Sequence, residues 1–216
     1  DLETYEGAQA VMDKVEAHFG RIDKLINNVG GTIWAKPYAE YTSEQVEKEV
    51  RRSLFPTLWC CRAVLPAMLK QGGGAIVNVS SVATRGVNRV PYAAAKGGVL
   101  ALTRSLAAEW IKYNIRTNAI APGPFPTKGA WSRLMPPGFE DFEDGMKDKI
   151  PMKRFGERHE LENLASYLMS DGSAYINGEV VTIDGGEWLA GAAEFSQLSK
   201  IPDSMWKAMA ERRKKK

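Results

Sequence analysis

The residues best suited to chemistry are Ser81, Tyr92 and Lys96. Tyr92 and Lys96 stand four positions apart in YAAAK, so on a helix they share one face. An ammonium beside a phenol favours the phenolate and lowers the tyrosine pKa from its reference of about 10. A phenolate formed near neutral pH can take the proton of a substrate alcohol. The serine pair Ser80-Ser81 ends an apolar run, AIVNVSS, where a hydroxyl can hold and polarise the same oxygen. Arg85 and Arg89 lie between Ser81 and Tyr92, and a guanidinium binds a carboxylate through two parallel hydrogen bonds. His18 and His159, the only histidines, have no ligand cluster around them, so no metal site is expected.

A scaffold must bring these groups together. Residues 5–19 carry Ala8, Val11, Met12, Val15 and Phe19 at helical period, and Gly20 closes them. Leu25–Val29 is a short apolar run before Gly30-Gly31, as in a buried strand. Residues 32–42 read as loop. Thr42 and Gln45 form a capping-box pattern for a helix from Ser43 to about Lys70, which Pro56 should bend. A second strand is expected at Ala75–Val79, a helix from about Pro91 to Tyr113, and a third strand at 115–121, stopped by Pro122-Gly123-Pro124. Residues 124–150, rich in Pro, Gly and Met, read as a lid rather than a core element. A helix at Glu160–Ser170, a strand at Glu179–Asp184 and a late helix around Ser204–Arg213 complete the pattern. Strands alternating with helices predict an α/β fold, a doubly wound parallel sheet of Rossmann type with helices on both faces. Ligands then bind at the carboxyl ends of the strands, which directs attention to Asn27–Gly31, Ser80–Arg89, Pro122–Thr127 and the chain from Gly185.

Composition narrows the class. The chain has 216 residues, 44% hydrophobic and 25% charged, with a net charge of +3. No apolar run approaches the roughly 20 residues of a membrane span, and the weak charge argues against nucleic acid. Two cysteines, Cys60 and Cys61, cannot build a disulfide framework, so a reducing, cytoplasmic setting is expected.

The ordered segments NNVG (27–30), NVSS (78–81), YAAAK (92–96) and IRTNAIAPGPFPT (115–127) closely resemble the short-chain dehydrogenase/reductase family. The resemblance implies an oxidoreductase that moves a hydride between a nicotinamide cofactor and a secondary alcohol or ketone. Tyr92 would be the acid/base, Ser81 would orient substrate, and Lys96 would tune Tyr92 and hold the nicotinamide ribose. Asn27, Asn28, Val29 and Gly30 match a cofactor-proximal turn. Pro122, Gly123, Phe125 and Thr127 match the segment that grips the nicotinamide carboxamide. Asp1 matches an aspartate that touches adenine. Ser53 falls where the family usually has an asparagine that holds a relay water.

The family's GxxxGxG phosphate loop has no counterpart in the sequence. Gly72-Gly73-Gly74 leads into a strand, whereas such a loop opens a helix. The resemblance thus implies an N-terminally incomplete dinucleotide-binding domain over 1–188, with about 60 residues of βα units ahead of Asp1. Weak cofactor binding by the isolated chain and a C-terminal extension over 189–216 are further expectations. Whether the cofactor is NAD or NADP stays open. Residues 24–96 resemble benzoate cis-diol dehydrogenases, which form a catechol with NAD reduction and loss of carbon dioxide; that subgroup also carries serine at the position of Ser53. Residues 116–198 resemble 2,4-dienoyl-CoA reductases, which use NADPH. Retention of Tyr92 favours the diol reading, with Arg85 and Arg89 on the substrate carboxylate. A non-catalytic fragment or oligomerisation partner is the rival from another class. By resemblance, a homodimer or homotetramer forms through the helices at 43–70 and 91–113.

Overall fold

A computed structural model describes residues 1–85, 89–127, 142–192, 201–202 and 204–206. Its frame is a four-stranded, all-parallel sheet in the order β1-β2-β3-β4. The strands are β1 (Lys24–Asn27), β2 (Gly74–Val79), β3 (Ile115–Pro122) and β4 (Val180–Ile183). Register runs Asn27 to Asn78, Asn78 to Ala119, and Ala119 to Val180. The helices are α1 (Tyr5–Phe19), α2 (Ser43–Gln71), α3 (Val90–Trp110), α4 (Phe142–Lys149), α5 (Arg158–Met169) and α6 (Glu187–Ala192).

Strand pleating divides the core. Successive side chains of β2 point to opposite faces, so Ile76 and Val77 enter different clusters. Ile76 packs with Met12 of α1, Val64 and Met68 of α2 and Trp110 of α3. Val77 packs with Ile120 and with Leu168 of α5. Both faces of the sheet are therefore covered, as the alternation of strands and helices predicts. Arg116 on β3 ties one end of the sheet to α5. Its guanidinium donates to the carbonyls of Leu168, Ile176 and Ser170 at 3.0–3.2 Å.

Local chemistry sets the element ends. Thr42 and Gln45 make the reciprocal capping box that their spacing predicts, and Gly72 closes α2 in the left-handed region. The helix continues through Pro56 and also through Pro66. β1 ends two residues earlier than its apolar run suggests. Asn27 is the last residue paired with β2, and its side chain turns inward onto Asn78. The lid expectation over 124–150 is corrected at its end. α4 is regular helix, and Ile150 after it is 1% exposed and belongs to the core. Residues 128–141 of that stretch, and most of the late helix expected over 204–213, lie outside the described residues.

Candidate active site

The carboxyl ends of β1, β2 and β3 carry the groups of interest. β2 delivers Ser80 and Ser81 as it ends, and α3 then presents Tyr92 and Lys96 one turn apart. Ser80, 3% exposed, donates to the Lys96 carbonyl at 2.9 Å and so pins the first turns of α3 to the strand end. Ser81 lies near enough to the Tyr92 phenol to favour its ionised form. The Arg89 guanidinium sits 5.6 Å from the centroid of the Tyr92 ring. Arg89 adopts φ 60°, ψ 49°, an uncommon conformation for a residue with a Cβ, immediately before α3.

Burial holds the Tyr92 phenol above its ordinary value; Ser81 and the charge of Arg89 pull it down, and Glu49 opposes them. Lys96 shares the helix face as its spacing predicts, yet its ammonium is bonded to the backbone and is not among the groups that shift the phenol. Nζ donates to the Val79 carbonyl at 2.8 Å. Only 2% of Lys96 is exposed, and burial pushes its ammonium down to about 8.

The turn after β1 lies directly over this lysine. A Cβ placed on Gly30 would stand 3.3 Å from Lys96 Nζ and 3.4 Å from the Ser53 Cα, and Gly30 has φ +143°. Glycine is required there by close approach and by backbone conformation together. Ser53 is fully buried, and its Oγ lies 3.4 Å from the Gly31 nitrogen and 3.5 Å from the Gly31 oxygen. Asn27 is committed to the core, donating to Asn78 at 2.9 Å and to Cys61 Sγ at 3.3 Å. Asn78 passes the network on to Thr103 at 3.0 Å. Asn28 and Val29 are exposed beside it.

On the other side, Gly123 donates to the Ile183 carbonyl at 2.9 Å, and a Cβ on it would meet the Asp184 Cα at 2.8 Å. Phe125 packs against Gly156 in a cleft shared with Pro124, Met152, Thr182 and Gly185. Pro122 ends β3 and Thr127 follows in the exposed chain beyond. Asp1 accepts from the Glu3 nitrogen at 2.9 Å, and Leu2 next to it lines a shallow hollow with Asn27 and Val29, at the same end of the sheet.

The structure separates the two arginines. Arg89 stays with Tyr92. Arg85 reaches across to β4, donating to Thr182 at 2.8 Å and stacking 4.8 Å from the Trp188 ring centroid.

Two groups here escape a reading by motif. Glu49 is 0% exposed, with its carboxylate accepting from the Ile33 nitrogen at 2.9 and 3.0 Å. Burial pushes its carboxyl up, against those two bonds and the charges of Arg52 and Arg89. Arg52 is the second. The available signal was spacing: Glu49, Arg52 and Ser53 fall at i, i+3 and i+4, on one helix face. Among the described residues no three His, Cys, Asp or Glu side chains group to hold a metal.

This site can be compared with known proteins. The family profile described as enoyl-(acyl carrier protein) reductase matches residues 1–187. A 1,6-dihydroxycyclohexa-2,4-diene-1-carboxylate dehydrogenase of Acinetobacter baylyi is 50% identical over 198 residues, covering 87% of this chain and 75% of its own. The chain belongs to the short-chain dehydrogenase/reductase family. A Bacillus subtilis protein named as a 2,4-dienoyl-CoA reductase is 38% identical over 196 residues, covering 88% of this chain and 75% of its own. The crystal structure of levodione reductase superposes with a TM-score of 0.84 at 36% identity, over 88% of this chain and 76% of that one. Members of this family are oxidoreductases that use nicotinamide cofactors. The resemblance to diol dehydrogenases is therefore the stronger of the two seen in the sequence, and both extend across most of the chain. Among the described residues no helix is long and apolar enough to cross a membrane.

Proposed function

We propose that this chain oxidises a cis-dihydrodiol carboxylate to a catechol, with NAD as the cofactor. The observation that carries this reading is a tyrosine, Tyr92, set beside Ser81 at the carboxyl end of a parallel sheet. Such a pair serves proton removal from an alcohol. Reduction of a dienoyl thioester instead requires a proton delivered to carbon.

The residues fit the nicotinamide end of a dinucleotide. Gly30 lets the backbone approach Lys96, whose buried ammonium is available to ribose hydroxyls, and Pro122–Thr127 lines the other side. When bound, the nicotinamide supplies the acceptor for the hydride leaving the carbinol carbon. The chain's own groups do the rest. Ser81 holds the substrate oxygen. Tyr92 as phenolate takes the hydroxyl proton, helped by Ser81 and Arg89 against the cost of burial. Lys96, one turn along the helix and fixed to Val79, is a cation at neutral pH. The product is a ketone β to a carboxylate. Loss of carbon dioxide leaves the C–C bonding pair in the ring, and proton shifts give the catechol. Arg89 is placed to hold the carboxylate, while Arg85 is taken up by Thr182 and Trp188. As part of the same reading, α2 and α3 pair between copies in a homodimer or homotetramer.

The test offers NAD and 1,6-dihydroxycyclohexa-2,4-diene-1-carboxylate, and follows NADH absorbance and catechol by chromatography. Equimolar NADH and catechol are expected. NADPH oxidation with a dienoyl-CoA, and no catechol, would transfer the assignment to the reductase. Inactivity toward both would leave a binding role for the fold.

A further inference from the structure

Beside the Ser81–Tyr92–Lys96 set lies a charge cluster that its chemistry does not use. Glu49 is fully buried on α2 and accepts from the backbone of Ile33. Two arginines act on it: Arg52, three residues along the same helix, and Arg89, just before α3. One acidic group thus shares its neighbourhood with two basic ones. The imbalance adjoins the reacting group, since Arg89 is 5.6 Å from the Tyr92 ring centroid. The Nε–H of Arg52 is buried and has no hydrogen-bond partner among the described residues. A buried donor left unmade costs free energy, and so does a buried charge without a full complement of opposite sign. A site of this kind is completed by an anion with two acceptor atoms. A carboxylate matches the guanidinium fork in shape, and its charge would offset the excess of arginine over acid in the cluster.

We propose that Arg52, together with Arg89, forms the recognition site for the substrate carboxylate, with Glu49 as the buried counter-charge that both arginines share. The inference rests on the dihydrodiol reading and sharpens it, putting Arg52 in the place that sequence order gives to Arg85. It also accounts for charged residues on the buried face of α2. Ser53 of that face bonds Gly31, so the face closes on the turn over Lys96.

The experiment compares wild type with Arg52→Gln, which removes charge at nearly constant length. KM is measured for the carboxylated diol and for neutral benzene cis-dihydrodiol. Binding of salicylate and of phenol is followed by tryptophan fluorescence, which needs no turnover. For Arg52→Gln the KM of the carboxylated diol should rise about tenfold, as should the salicylate Kd, a loss of about 1.4 kcal/mol. The neutral diol and phenol should change far less. Equal shifts for charged and neutral ligands, or no shift for salicylate, would overturn the proposal. Arg52→Lys keeps the charge and loses the Nε–H; an unchanged ratio of charged to neutral KM in that variant would also overturn it, and it serves where Arg52→Gln does not fold. If wild type oxidises neither diol, the dihydrodiol reading falls. The salicylate comparison then still decides Arg52: a tenfold weakening upholds the carboxylate site, and an unmoved Kd removes it.

Discussion

The buried ammonium of Lys96 should make itself felt in the pH dependence of stability. A free lysine has a pKa of 10.5, and here burial brings it down to about 8. Between those values the unfolded chain holds a proton that the folded chain has released. Stability contributed by this site therefore rises as pH rises through the window. Below pH 8 the folded protein carries the buried charge at its full cost, about 3 kcal/mol at roughly 1.4 kcal/mol per pKa unit. From pH 7 to pH 9 the folded form sheds most of its proton and the unfolded form almost none, so about 1 kcal/mol should be regained. Other groups titrate nearby. Burial pushes the Cys61 thiol up to about 12, which removes stability as pH climbs past the ordinary thiol value. The measurement is therefore a difference between wild type and Lys96→Met, a variant of similar length without the charge. Urea unfolding at pH 7, 8 and 9, read by fluorescence and by circular dichroism, gives both curves. The variant should be the more stable protein at pH 7, and its advantage should shrink by about 1 kcal/mol at pH 9. Parallel curves across that range would refute a lysine held at about 8.

Other perturbations have equally direct readouts. Tyr92→Phe should lower kcat by about 10³-fold in a steady-state assay while leaving the thermal midpoint nearly in place, because it removes the proton acceptor and little packing. Gly30→Ala should destabilise by about 1–3 kcal/mol and weaken NADH binding, seen by thermal melt and fluorescence titration. The cause is a Cβ at φ +143° within 3.3 Å of Lys96 Nζ. Arg116→Met should cost about 3 kcal/mol in urea unfolding, since the carbonyls of Leu168, Ser170 and Ile176 lose a buried charged donor.

Much of the frame was legible in the sequence because it is written in local patterns. Thr42 and Gln45 are neighbours on the first turn of α2, and their capping box forms where the spacing puts it. The apolar runs that become β2, β3 and β4, and the four-residue step from Tyr92 to Lys96, are likewise short-range. What escaped depends on contacts between distant segments. Asn27 meets Asn78 only because two strands pair in one register. Arg85 finds Thr182 across 97 positions, so its choice between a ligand and a protein partner is invisible until β4 is placed. Glu49 and Arg52 belong to no motif, and a spacing of three on a helix does not by itself separate buried charges from solvated ones. Nothing local says that a loop from β1 will fold over them and take its backbone bonds from Glu49.

That loop links stability to chemistry. It is tied to α2 through Ser53 on Gly31 and Glu49 on Ile33, and Tyr41 donates to the Trp34 carbonyl at 2.7 Å. Gly30 at its start approaches the Lys96 ammonium. Water is kept from Lys96 by these contacts, and burial is the cause of its lowered pKa. The groups of α2 that hold the loop therefore act on the site without touching the reacting oxygen. Loosening them should let water reach Nζ and return Lys96 toward the ordinary lysine range. The folded state would then gain a cheaper charge and lose loop contacts at the same time. These changes oppose each other wherever the unfolded lysine keeps its proton, and only the lost contacts count above its ordinary value of 10.5. A defect in the loop should therefore look mild at neutral pH and worse at alkaline pH, in the same sense as removing Lys96 itself, whose advantage also shrinks as pH rises.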